Sequence, residues 1–129
     1  MKIKIFALTH KKFEVPQDKM YQPLQVGREE KEDLGYLCDN TGDNISAENC
    51  YYSELTGLYW IWKNVHTYKY VGTCHYRRYL LNEQEKIFTE AEYLELLKDY
   101  DLITTKRVVL NNSYHYGFAT NHNIHALDM

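Results

Sequence analysis

Residues 51–80 read YYSELTGLYWIWKNVHTYKYVGTCHYRRYL, and the succession of patterns in this stretch decides the fold class. Tyr51, Leu55, Leu58, Trp62 and Val65 recur at the spacing of one helix face. Ser46 upstream is a good N-cap and Glu48 complements the helix dipole, so the spacing predicts one helix from Ser46 to about Val65. Tyr70–Cys74 is short, apolar and β-branched, which suits a central strand. His75, Tyr76, Arg77 and Arg78 follow it directly. A helix feeding a strand that ends in histidine and two arginines points to an α/β fold with an anion site.

Working outward, Lys2–Leu8 alternates and then turns wholly apolar, as a strand does on entering a core. It breaks at Thr9-His10-Lys11-Lys12, a polar turn. Ligands of open α/β sheets lie outside the carboxyl ends of the strands, which makes Thr9, His10 and Lys11 candidates for a nucleotide or phosphate contact. A solvated loop is the competing reading. Leu24–Val26 reads as a short second strand, Arg28–Asp33 as a solvated charge run, and Leu37–Ile45 as a turn-rich loop. Asp39 and Asp43 fit turn roles better than metal ligation, because their spacing matches no compact ligand pattern. Thr89–Glu92 is a capping box that opens a second helix over Leu94, Leu96 and Leu97, and Asp101–Thr105 reads as a further strand. The order is that of a βαβ-type start.

A chain of 129 residues with 44% apolar and 26% charged residues makes one globular domain at most. The 13 tyrosines supply rings for a core and hydroxyls for a cleft. A net charge of -3 argues against bulk attraction to nucleic acid or an anionic membrane, so anion binding must come from local clusters. Cys38, Cys50 and Cys74 share no metal-type spacing and read as reduced thiols of a cytosolic protein. No run approaches the roughly 20 apolar residues that cross a bilayer. Neither a Walker A loop nor Gly-x-Gly-x-x-Gly follows the first strand, and no Gly-x-Ser-x-Gly elbow is present. His115, His122 and His125 lack a supporting metal motif and read as surface or acceptor-contact residues.

The chemistry concentrates on few side chains. Arg77 and Arg78 offer planar donor forks that match a diphosphate, but in a continuous strand they point to opposite faces, so both reach one ligand only if the backbone turns. His75 is a further donor or a general acid or base. Glu54 lies at the border of the apolar stripe, where a buried carboxylate needs a partner such as Arg77 or Arg78, unless it extends to solvent. Gly57 interrupts the helix and suggests close approach of another backbone.

KIFALTHKKF, DNTGDNIS, YYSELTGLYWIWKN and YVGTCHYRRYL together resemble a family of bacterial glycosyltransferases long grouped as a domain of unknown function. Its members stand in capsule, exopolysaccharide and O-antigen gene clusters, and some are assigned as galactofuranosyltransferases. The resemblance spans nearly the whole chain and is most specific from Glu54 to Tyr79. It implies a GT-A-like nucleotide-sugar-binding sheet with flanking helices, a UDP-sugar donor, and a glycan or lipid-linked saccharide acceptor. It also implies a cytoplasmic site, with membrane contact at most peripheral, and a single domain over residues 1–129 that is shorter than the family's own.

Carried across, the resemblance puts Thr9, His10, Lys11, Asp43, Asn44, Thr56, Tyr76, Arg77 and Arg78 at the donor pocket, with Glu54 facing it from the helix beside Thr56; the catalytic role expected of His75 or Glu54 is to orient or deprotonate the acceptor hydroxyl. His75–Arg78 stand where many GT-A enzymes carry an Asp-x-Asp metal motif. Two arginines there suggest that protein cations rather than Mg²⁺ or Mn²⁺ neutralise the leaving diphosphate, although a lone carboxylate can hold a divalent metal too. Because the chain is short, a non-catalytic nucleotide-sugar-binding or assembly module is the alternative to an enzyme.

Overall fold

The computed structural model describes residues 1–106, which form a four-stranded, wholly parallel sheet with helices on both faces. The strands are β1 (Ile3–Thr9), β2 (Tyr21–Gln25), β3 (Leu37–Cys38) and β4 (Tyr70–His75), in the order β3-β2-β1-β4. The helices are α1 (Asn49–Tyr52), α2 (Leu55–Asn64) and α3 (Glu90–Leu96). This is the α/β, GT-A-like class expected from the sequence.

β1 is flanked on both sides, which explains why Phe6-Ala7-Leu8 runs apolar without alternation. On one face Phe6, Leu8, Leu24 and Val26 pack with Trp60 and Ile61 of α2. On the other Ile3, Ile5, Met20 and Tyr21 pack with Tyr93 of α3. Helix α3 begins with the expected capping box, Thr89 and Glu92 each accepting the other's backbone N–H. Glu90 accepts the N–H of Ile3 at 3.1 Å and so fixes the helix against the start of β1.

Four expectations need correction. The helix from Ser46 is not continuous: a 3-10 turn (Ser46–Glu48) and α1 precede a break at Ser53, where φ is 49° and ψ is -128°. Ser46 is not its N-cap; the hydroxyl is buried and donates to Asp39 instead. The apolar stripe also faces the wrong way. Tyr51, Leu55, Leu58 and Trp62 are 47–65% exposed, while Thr56, Gly57, Trp60 and Ile61 are buried. Gly57 sets that orientation: a Cβ there would lie 2.6 Å from Val26 Cγ1 and 2.9 Å from Leu8 Cδ2, so only glycine lets the helix sit this low on the sheet. Third, Leu37–Cys38 is an edge strand rather than part of a loop. Finally, Asp101–Thr105 forms no strand. Instead it lines a groove beside β4.

β4 pairs with β1 alone among the described residues. Tyr70 and Tyr76 donate their N–H groups to Lys2 and Leu8, so Val71 and Thr73 turn their main-chain groups toward the edge that is unpaired among the described residues, while His75 bridges to Arg78.

Candidate functional site

At the carboxyl ends of β1 and β4 the chain changes direction twice. After β1, the Thr9 hydroxyl is buried and bonds both the N–H and the carbonyl of Lys11, which makes the expected polar turn a rigid one. After β4, the Arg78 N–H donates to the His75 carbonyl at 2.9 Å, closing a tight turn over His75–Arg78. This is the turn that the adjacent arginines required.

Tyr76 stands at the centre. Its ring is 5% exposed and lies edge-on to His10 at a centroid distance of 5.4 Å. Lys11 Nζ and Arg77 Cζ sit over it at 5.7 and 5.2 Å. The two turns therefore bring His10, Lys11 and Arg77 together around one ring, although they are about 66 positions apart in sequence. Cation–π attraction of about 0.5–1 kcal/mol each holds such groups in place without neutralising them. Arg77 and Arg78 are exposed and neither meets a carboxylate among the described residues. The Tyr76 hydroxyl is buried without a hydrogen-bond partner among the described residues. Such an orphan costs about 1–3 kcal/mol, a sign that this cluster is shaped for more than packing.

Beside it, His75 Nε2 lies 3.3 Å from Glu54 Oε1. The partner of Glu54 is thus His75 and neither arginine. The Arg77 N–H donates to His75 Nδ1 at 3.2 Å, which leaves the ring proton on Nε2, directed at Glu54. Burial lowers the His75 pKa; Glu54 raises it, and Arg77, Arg78 and His10 lower it further. A neutral imidazole whose two nitrogens are both engaged positions Glu54. The carboxylate itself, about half exposed, remains open to a ligand. Cys74 offers no competing nucleophile, since burial and Glu54 push its thiol up to about 12.

The remaining candidates lie elsewhere. Thr56 is fully buried and donates to Asp39 Oδ2 at 2.7 Å. Asp43 accepts from the Tyr59 hydroxyl, and its carbonyl accepts from Asn64. Those contacts fall five and ten residues along the helix from Glu54, about 7 and 15 Å at 1.5 Å per residue. Asn44 spends its side chain on Gly42 and Ser46. His115, His122 and His125 lie outside the described residues.

Asp39, expected only in a turn, is the buried hub behind the site. Its Oδ2 accepts from the Gly27 N–H and the Thr56 hydroxyl, and its Oδ1 from the Arg28 N–H and the Ser46 hydroxyl. One carboxylate thus ties the loop after β2 to the start of α2. Gly27 meets it with φ 68°, a conformation that favours glycine. With four donors satisfied, Asp39 has no lone pair directed at a metal.

At the end of β4 a single carboxylate, Glu54, is held by His75, and the Arg77 guanidinium sits over the Tyr76 ring rather than against it. The chain holds one Asp-x-Asp, Asp99-Tyr100-Asp101, after α3; all three residues are exposed, and Asp101 lines the same groove as His75 and Arg78. Among the described residues no group of three or more His, Cys, Asp or Glu side chains converges.

The fold is a parallel α/β sheet with His10, Lys11 and Arg77 gathered at the carboxyl ends of β1 and β4. More narrowly, residues 4–129 match the family described as a domain of unknown function, DUF4422, and the chain belongs to that family. The structure is also similar to that of the WbbM bifunctional glycosyltransferase in its apo form, with 42% identity and a TM-score of 0.58. The match covers 62% of this chain and 14% of that one. Comparison with curated proteins gives no match.

Proposed function

We propose that the chain is a glycosyltransferase domain that moves a sugar from a UDP-sugar to a growing capsular, exopolysaccharide or O-antigen glycan. The observation that carries this reading is the gathering of His10, Lys11 and Arg77 around Tyr76, beside the Glu54–His75 pair. Likeness to a glycosyltransferase at 42% identity supports it.

In this reading the acceptor oxygen attacks the anomeric carbon and the bond from that carbon to the UDP oxygen breaks. Glu54 takes the acceptor proton while His75 holds the carboxylate in line. Negative charge grows on the departing diphosphate, and Arg77, Lys11 and His10 stabilise it from fixed positions. No step calls for a divalent cation. In this reading the reaction takes place in the cytoplasm, with any membrane contact peripheral. No helix among the described residues is long and apolar enough to cross a membrane.

Calorimetric titration with UDP and with UDP-sugars tests the donor site. Arg77→Ala is expected to weaken UDP binding at least tenfold, about 1.4 kcal/mol. Unchanged affinity in a folded variant overturns the site. Binding without transfer or slow hydrolysis favours a nucleotide-sugar-binding module over an enzyme.

A further inference from the structure

Two departures from ordinary helix chemistry stand side by side where α1 gives way to α2. Ser53 holds φ 49° with ψ -128°, a combination that a residue with a Cβ adopts only under constraint. Its side chain is exposed, so packing of that side chain does not account for the conformation. Glu54 follows as the N-cap residue of α2, yet its side chain makes no capping bond. The carboxylate reaches His75 Nε2 instead, at 3.3 Å.

The strained serine is held from outside. Asn49 grips it on both sides: its carbonyl accepts the Ser53 N–H at 2.8 Å, and its Nδ2 donates to the Ser53 carbonyl at 2.7 Å. The second hydrogen of that Nδ2 goes to the Thr56 hydroxyl at 3.0 Å, which donates in turn to the buried Asp39. The Thr56 N–H adds a further bond to the Ser53 carbonyl at 3.2 Å. The Asn49 carboxamide lies where a side chain on Gly27 would stand, since a Cβ there would be 2.5 Å from Asn49 Cγ. Relaxation of Ser53 into helical φ and ψ would run α1 straight into α2 and carry Glu54 to another place on the helix surface. Strain kept by this many bonds marks a position where geometry matters more than local stability, and the side chain whose place depends on it is Glu54.

We infer that Asn49 and Ser53 are positioning residues: together they form a strained turn that aims the Glu54 carboxylate at His75 and at the reacting hydroxyl. The inference rests on the glycosyltransferase reading for the hydroxyl alone; the aim at His75 is a property of the free chain.

The test uses the full ¹⁵N-labelled chain. Asn49→Ala removes both side-chain bonds of the clamp and lets Ser53 relax. The His75 pKa, followed by NMR titration, is expected to fall, because the one neighbour that raises it has moved away. The kcat for hydrolysis of UDP-galactose falls at least tenfold, while UDP affinity stays within twofold, since His10, Lys11 and Arg77 are untouched. Adding Ser53→Gly, which takes positive φ without strain and so needs no clamp, returns the His75 titration to that of wild type and the rate to within threefold. Ser53→Val, whose β-branch resists this conformation, reproduces the loss with Asn49 intact. The inference is overturned if His75 titrates alike in wild type and Asn49→Ala. It is also overturned if the double variant stays as impaired as Asn49→Ala, which makes the asparagine a purely structural contact, or if UDP affinity falls in step with the rate. Absence of turnover by wild-type chain refutes the glycosyltransferase reading alone, because the histidine titration reports the aim of Glu54 without substrate.

Discussion

Replacing Asp39 by asparagine keeps the shape of the side chain but turns one of its two acceptor oxygens into a donor. Each oxygen receives one main-chain N–H and one hydroxyl: Gly27 and Thr56 on Oδ2, Arg28 and Ser46 on Oδ1. Whichever way the amide is turned, its NH₂ faces a main-chain N–H that cannot rotate away. The hydroxyl on that side can turn to accept; the N–H cannot. One buried donor is left unsatisfied at about 1–3 kcal/mol, and the bonds that remain lose the benefit of a charged acceptor. A total of about 2–4 kcal/mol follows, or roughly 8–16 °C in Tm for a chain of this size. Urea unfolding measures it, with an unchanged slope showing that the unfolded state is not the cause. Thr56 and Ser46 connect Asp39 to the segment carrying Glu54, so the ¹⁵N signals of the His75 ring are expected to move as well. A loss below about 0.5 kcal/mol refutes the claim that both oxygens are needed as acceptors.

Other perturbations probe the same structure independently. Gly57→Ala, which in a free helix gains about 1 kcal/mol, is expected to cost about 1–3 kcal/mol here, because the new methyl meets Val26 and Leu8 at 2.6 and 2.9 Å; chemical denaturation gives the sign. Ile61→Ala should cost about 2–5 kcal/mol and Trp62→Gln less than about 0.5, a contrast in urea midpoints that reverses if the outward stripe is the packed one. Glu54→Gln removes the one neighbour that raises the His75 pKa, so an NMR titration should show it lower still, together with loss of sugar transfer. Because the native His75 pKa lies below its unfolded value of about 6.5, the native state binds fewer protons between the two values. Its stabilising effect is complete above that range and is lost as pH falls through the native value. Wild-type chain should therefore lose more stability than His75→Gln on acidification from pH 7.5, and equal losses refute the assignment.

What the sequence could and could not show follows from the range of each interaction. β1 was legible because burial on both faces writes itself as an apolar run, and the α3 cap because Thr89 and Glu92 settle it within four positions; β4 was legible as a strand but not in its place, since the expected central strand lies at the edge of the sheet among the described residues and none of its residues is buried. The α2 face was misread for a physical reason: the helix is apolar all round, so Leu55, Leu58 and Trp62 compete with Trp60 and Ile61, and periodicity cannot choose between them. The deciding signal was small size, since Thr56 and Gly57 mark the face that comes closest to the sheet. Asp39 was hidden for the opposite reason. A carboxylate in DNTGDN looks like any turn former, and its role comes from four donors spread between Gly27 and Thr56. The site itself was half legible. Strand-end position marked His10, Lys11, His75 and the arginines, but where each arginine points depends on a turn closed by one hydrogen bond, from the Arg78 N–H to the His75 carbonyl. That bond converts the strand's alternation into two separate directions, and a sequence pattern of period two carries no trace of it.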